Sequence, residues 1–183
     1  MPTGTALPEL RSARLLIRPL ASSDAAACRA ALDVEDDAAF EQWLRWAVAA
    51  PAALAALHQP PFGERAIALA ATREVVGLVG LVPALGPFAQ LEGAPPGGPW
   101  TLELGLYWAL AAEHRGRGYA SEAAAELARH LFEALNPARL IATTEHANSS
   151  SQAVMRRLGM RILRNPHPEP AWLQVVGILA RSD

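Results

Sequence analysis

The segment Arg115-Gly-Arg-Gly-Tyr-Ala120 holds the residue types best suited to chemistry in this 183-residue chain. Gly116 and Gly118 have no Cβ, so their backbone N–H groups can approach a ligand closely. Arg115 and Arg117 add positive charge that complements phosphate. Placed ahead of a helix, such a turn forms an anion site, because the first helical amides lack intrahelical acceptors and the dipole favours negative charge. The plainer reading of the same spacing is a tight turn carrying two solvated arginines. A dinucleotide-binding fingerprint does not fit, since Ser121 stands where the third glycine would be. Nor does an acidic residue close a second strand about 20 residues further on.

These residues need elements to hold them. Thr101 to Trp108 reads as a strand with Thr101, Glu103, Gly105 and Tyr107 on one face. A loop over 113–118 then enters a helix from Tyr119 to Leu135, stopped by Asn136-Pro137. Upstream, Arg14 to Leu20 is a first strand, and Ser22-Ser-Asp24 supplies N-cap chemistry for a helix reaching Leu32. Asp36-Asp37 opens a second helix with Phe40, Trp43, Leu44 and Ala47 at helical spacing, broken or restarted at Pro51. Arg65–Ala71 and Val75–Val82 form a hairpin, and Pro83 to Pro99 is a long Pro/Gly-rich loop. Strand Leu140–Thr144, helix Ser149–Leu158 and strands Met160–Leu163 and Trp172–Ala180 complete the chain. The expected fold class is α+β, a mixed and mostly antiparallel sheet flanked by helices, in a single domain over 1–183.

Composition narrows the functional classes. All 16 basic residues are Arg against 18 acids, a net charge of −2, which is not the basic excess of a dedicated nucleic-acid binder. The charge is divided: residues 1–112 carry net −4 and residues 113–164 net +3. Cys28 is the sole cysteine, so no internal disulfide forms, and no Cys/His cluster suggests a metal. Cys28 reads as a small buried residue of the first helix. The N-terminus lacks a basic segment before an apolar one, and the longest apolar run, Val75 to Leu91, is interrupted by Gly and Pro. The expectation is a cytoplasmic protein that engages neither membrane nor nucleic acid.

Arg115, Gly118 and Ala120 match the acetyl-CoA signature Arg/Gln-x-x-Gly-x-Gly/Ala, and here the chain resembles the GNAT N-acetyltransferase superfamily. Glu103-Leu-Gly-Leu-Tyr-Trp108 looks like the family's fourth strand, and Ser121-Glu-Ala123 like the opening of its CoA-binding helix. Asn148-Ser-Ser-Ser151 followed by Leu158-Gly-Met160 is similar to its later Asn-x-x-Ser…Leu-Gly-Phe segment. Arg14-Leu-Leu-Ile-Arg-Pro-Leu20 with Asp24 resembles the start of the ribosomal-protein alanine/serine N-acetyltransferase-like branch. The ordered set covers about residues 12–180.

The resemblance implies the acyl-CoA N-acyltransferase fold, with splayed fourth and fifth strands and the thioester arm in the gap. Gly105 is a candidate position for that distortion. Acetyl-CoA is the implied co-substrate, with no metal. Its pyrophosphate would lie on the loop formed by Arg115, Gly116, Arg117, Gly118, Tyr119 and Ala120, while Asn148 and Ser151 would contact the pantetheine arm or the sulfur. The implied reaction is acetyl transfer to a primary amine by direct attack in a ternary complex. Glu103 is the candidate general base; its other reading is an ion-pair partner. Ser151 is the candidate acid, or equally the first-turn hydroxyl of a capped helix, and Met155 stands where many members carry Tyr. Glu145 and His146 follow the fifth strand and are further candidates. The acidic group Asp33, Glu35, Asp36, Asp37 and Glu41 reads either as an amine attractor or as a capped, solvated helix end. Trp43 and Trp46 read as core packing or as a wall for the acceptor. The alternative for the whole chain is a non-catalytic CoA-binding or sensing module on the same fold. The amine itself has no readable code, and a homodimer is open, dimers being common in the family.

Overall fold

The computed structural model of the protein describes residues 7–35, 37–91 and 100–181. Among them lie eight strands and four α-helices. The chain divides into two compact units, Met1–Val82 with Tyr107–His130 and Pro83–Leu106 with Leu131–Asp183. Asp36 and residues 92–99, which belong to the expected second-helix start and the long loop, fall outside the described residues.

In the first unit, strands β1 (Leu10–Arg11), β2 (Leu15–Pro19), β3 (Gly63–Leu69) and β4 (Val75–Gly86, here to Val82) pair antiparallel in chain order. Leu15, Leu16 and Ile17 are all at most 1% exposed. A strand covered on both faces selects a continuous apolar run rather than an alternating one. Helices α1 (Ala25–Leu32) and α2 (Ala38–Ala56) bury Cys28, Ala31, Phe40, Leu44 and Ala47 against Leu20, Ala66 and Leu78. Burial pushes the Cys28 thiol up to about 11, with the nearby Asp24 charge adding to it.

Three local expectations change here. Asp24 does not cap α1; its carboxylate accepts both terminal nitrogens of Arg18, at 2.7 and 2.8 Å, and the Ala21 N–H at 2.8 Å. The long-range pull of a guanidinium outcompetes a helix end for the same oxygens. α2 runs through Pro51 instead of breaking there. That proline forfeits its bond to the Ala47 carbonyl, but Ala47 and Ala50 remain packed at 2% and 4% exposure. β4 continues past Val82 to Gly86, and Pro83 lies beyond Leu81, where its pairing with β3 ends.

The second unit takes the earlier part of β5 (Thr101–Leu110), then β6 (Arg139–Thr144), α4 (Ser149–Arg157), β7 (Arg161–Arg164) and β8 (Val175–Ala180), with strand order β5-β6-β8-β7. β6 and β8 pair antiparallel from Arg139↔Ala180 to Thr144↔Val175. Among the described residues β5 meets β6 in parallel at Gly105↔Ile141 alone. The short two-residue β1 raises each later strand number by one, so β5 and β6 are the expected fourth and fifth strands, and Gly105 is where they touch rather than where they part. Phe88, Leu91, Ile141, Leu173 and Val176 form this unit's core, with the Phe88 and Trp172 rings edge to face at 6.4 Å. Gly177 leaves room for two sulfur side chains: a Cβ there would meet Met160 Sδ at 2.7 Å and Met155 Cγ at 3.1 Å.

Candidate functional site

The loop ahead of α3 (Tyr119–Leu135) takes its shape from two left-handed residues, Gly116 at φ 76° and Gly118 at φ 81°. A side chain at either position would strain the backbone. The strand before it ends at Leu110, whose carbonyl accepts the Arg115 Nε–H at 3.0 Å, so Arg115 ties the loop's start to the strand's end. Arg115, Gly116 and Arg117 are exposed. α3 then begins with a first ladder bond from the Glu122 N–H to the Gly118 carbonyl, 3.0 Å. The preceding helical amides have no intrahelical acceptor. Ala123, Ala124, Leu127, Ala128 and Leu131 are buried at helical spacing and anchor the helix.

The residues present fit a bound pyrophosphate. Nothing lies within 4 Å of where a Gly116 Cβ would stand, and at Gly118 only an Arg14 guanidinium nitrogen does, at 3.5 Å. The loop surface is open where a ligand would lie. The Ser121 Oγ, in the first turn of α3, is buried without a hydrogen-bond partner, a polar atom that a ligand oxygen would satisfy. Tyr119 carries the Arg14 guanidinium over its ring at 4.7 Å, and Ala120 is buried.

In the second unit Glu103 is 8% exposed and held by two guanidinium nitrogens of Arg139: Nε to Oε2 at 2.8 Å and a terminal nitrogen to Oε1 at 2.5 Å. The fork raises the Arg139 pKa through the hydrogen bond to Glu103. The carboxylate is therefore an ion-pair partner, and it shares β5 with the Gly105 pairing point. Arg139 escaped the sequence reading, since 36 residues separate it from Glu103 and no local spacing links them.

At the start of α4 the Asn148 Oδ1 accepts the Ser151 N–H at 3.0 Å. This is an N-cap, and it engages both residues that the motif singled out. Asn148 is exposed and Ser151 half-buried. Met155, in the place of the family's frequent Tyr, is fully buried, with its Cγ and Sδ 3.1 Å from where a Gly177 Cβ would stand. Glu145 and His146 are exposed, and the His146 N–H donates to Gln174 Oε1 at 2.8 Å.

Other candidates resolve individually. Asp37 caps α2 by accepting the Phe40 N–H at 2.8 Å, and Glu41 pairs with Arg45 one turn on at 3.4 Å. Both follow the capped, solvated helix-end pattern. Trp43 packs on Phe40 at 5.7 Å, whereas Trp46 is 55% exposed. Tyr107 is half-buried against the α1/α2 core, and burial first, then the Glu64 charge, pushes its hydroxyl pKa up. Among the described residues no group of three or more His, Cys, Asp or Glu could hold a metal ion, and no helix is long and apolar enough to cross a membrane.

An open glycine turn feeding a helix, a mixed sheet and a parallel strand pair that meets at Gly105 define a class. Residues 14–161 match the family model described as the acetyltransferase (GNAT) domain, and the chain belongs to that family. Over 64 residues it is 39% identical to the "Uncharacterized N-acetyltransferase YnaD" of Bacillus subtilis (strain 168), a match covering 35% of this chain and 36% of that protein. The chain thus spans about a third of the length of that curated relative. The acetyltransferase from Agrobacterium tumefaciens str. C58 superposes with a TM-score of 0.68 at 26% identity, covering 97% of this chain and 96% of the other. RimL, a ribosomal L7/L12 α-N-protein acetyltransferase solved in complex with coenzyme A, superposes with a TM-score of 0.57 at 16% identity, over 95% and 97% of the two chains. At that identity the likeness is one of fold.

Proposed function

We propose that the chain transfers an acetyl group from acetyl-CoA to a primary amine, on a protein N-terminus or a small molecule, by direct attack in a ternary complex. The observation that carries this reading is the α3 entrance: two left-handed glycines, open space at Gly116 and only the Arg14 guanidinium beside Gly118, exposed Arg115 and Arg117, and the orphaned Ser121 hydroxyl. These features suit a pyrophosphate, and family membership supplies the donor. In the reaction the amine nitrogen bonds to the thioester carbonyl carbon, the C–S bond breaks, the amine loses a proton and the thiolate gains one. Holding both reactants supplies much of the rate.

Glu103 is assigned the amine's proton. The Arg139 fork occupies one lone-pair direction on each oxygen, and a carboxylate has others. Ser151 is assigned to the leaving thiolate, and Asn148 with Ser151 to the pantetheine arm. The non-catalytic alternative separates from this reading by turnover alone.

Two measurements test the proposal. Calorimetry with CoA is expected to show binding, and its absence overturns the reading. Thiol release from acetyl-CoA with a panel of peptides, amines and aminoglycosides is expected to find an acceptor. Glu103→Gln is then expected to lower turnover about 100-fold at neutral pH while leaving CoA affinity within about twofold. Turnover unaltered across the pH range removes Glu103 as the base.

A further inference from the structure

We infer that Arg14, held by Glu122, which Ser12 braces in turn, is a positioning residue that sets the direction of the loop amide at Gly118. This inference rests on the reading of the loop as the pyrophosphate site. The bend between β1 and β2 brings Arg14 to the loop, and four contacts converge on its side chain. A terminal nitrogen donates to the Arg117 carbonyl at 3.1 Å. The guanidinium covers the Tyr119 ring at 4.7 Å. Its Nε donates to Glu122 Oε2 at 2.7 Å, and a terminal nitrogen reaches the same oxygen at 2.6 Å. The other oxygen, Oε1, accepts the Arg14 backbone N–H at 2.9 Å and the Ser12 hydroxyl at 2.7 Å.

The physical consequence lies in one peptide plane. In a trans peptide the C=O of residue 117 and the N–H of residue 118 point in opposite directions. Fixing the Arg117 carbonyl on Arg14 therefore turns the Gly118 N–H away from Arg14, toward the open side of the loop. A glycine turn that is not held samples many conformers, and ordering it costs binding free energy. Arg14 removes part of that cost in advance. Its charge is already matched by Glu122, so its contribution is geometric rather than a general attraction for phosphate. A lysine, a point charge without a planar fork, could not make the carbonyl, ring and carboxylate contacts together.

The signs of two variants separate this role from simple electrostatics. Arg14→Ala is expected to weaken CoA binding about tenfold by calorimetry, and Arg14→Lys to recover little of the loss although it keeps the charge. Glu122→Gln removes an anion from the helix end that would face phosphate, so electrostatics alone predicts tighter CoA binding. Release of Arg14 predicts binding about threefold weaker, with the melting temperature within a few degrees of the parent. In turnover assays the Arg14→Ala loss is expected in the KM for acetyl-CoA and not in the KM for the amine. Wild-type affinity in Arg14→Lys, or tighter binding in Glu122→Gln, overturns the inference while leaving the proposed function intact. A parent protein that binds no CoA overturns the proposed function itself. Should Arg14→Ala fail to fold, the Glu122→Gln sign alone decides.

Discussion

The helices α3 and α4 begin in opposite ways. α4 closes its own N-terminus: the Asn148 side chain accepts the Ser151 N–H, spending one of the helix's orphan donors internally. α3 begins with a glycine turn, carries no Asn, Asp or Ser immediately before Tyr119, and its nearest acid, Glu122, turns aside to Arg14 and Ser12. A helix end that caps itself has less to offer an anion. One whose acid is drawn off to a side brace keeps its amides and dipole for a ligand. The motif Asn-x-x-Ser and the motif Gly-x-Gly thus mark similar places in a helix with different free valences.

Closing the open terminus should have the largest effect. Gly118→Val puts a β-branched residue at φ 81° and fills the space beside the loop; CoA affinity is expected to fall more than about 100-fold, with a strain of about 1–2 kcal/mol visible as a lower melting temperature. Retained affinity would show that the α3 terminus is no more open than that of α4. Removing the internal cap should do less. Asn148→Ala is expected to cost about 1 kcal/mol, a fall in melting temperature of about 2–4 °C, while CoA affinity falls by about tenfold or less, the share of the single pantetheine contact assigned to Asn148. A much greater loss of affinity would mean that both termini face ligand, erasing the contrast. The smallest effect concerns Glu122. Burial raises its pKa, but hydrogen bonds from Ser12 and Arg14 outweigh that and leave it below the ordinary carboxylate value. A depressed folded pKa gives stability that is full above the unfolded value of about 4.3 and lost as pH falls through the folded one. With Arg14 half-exposed the gain is below about 1 kcal/mol. The stability gap between the parent and Glu122→Gln, measured by denaturant titration, should therefore be present at pH 7 and close below about pH 4. A gap that does not narrow as pH falls below the ordinary carboxylate range would place the stabilisation elsewhere.

What sequence reveals here follows the range of the interaction. α3 spans Tyr119–Leu135 as its flanking glycine and Asn136-Pro137 dictate, with Asn136 in the left-handed region at φ 52°, and the Asn148 cap needs only residues three apart. The limited pairing of β5 with β6 is only partly legible: Gly105, the expected point of distortion, is instead the residue that pairs with Ile141. The pairs Glu103–Arg139 and Arg14–Glu122 are not legible, because their members stand 36 and 108 positions apart; only the folded chain brings those charges together. Asp24 shows the same competition on a small scale: its spacing suggested a cap, and Arg18 claims it. Pro51 fails as a stop because the packing ahead of it, at Ala47 and Ala50, outweighs one lost backbone bond.

The burial of Cys28 has a practical side. Thiol reagents attack thiolates, and a lone cysteine at 0% exposure, with its pKa pushed to about 11, offers them almost none at neutral pH. The native chain is therefore silent in a chromogenic thiol assay, so colour formed there counts released CoA. When colour does arise from the protein itself, it clocks the opening of the α1 core, and the molecule carries its own label for local unfolding.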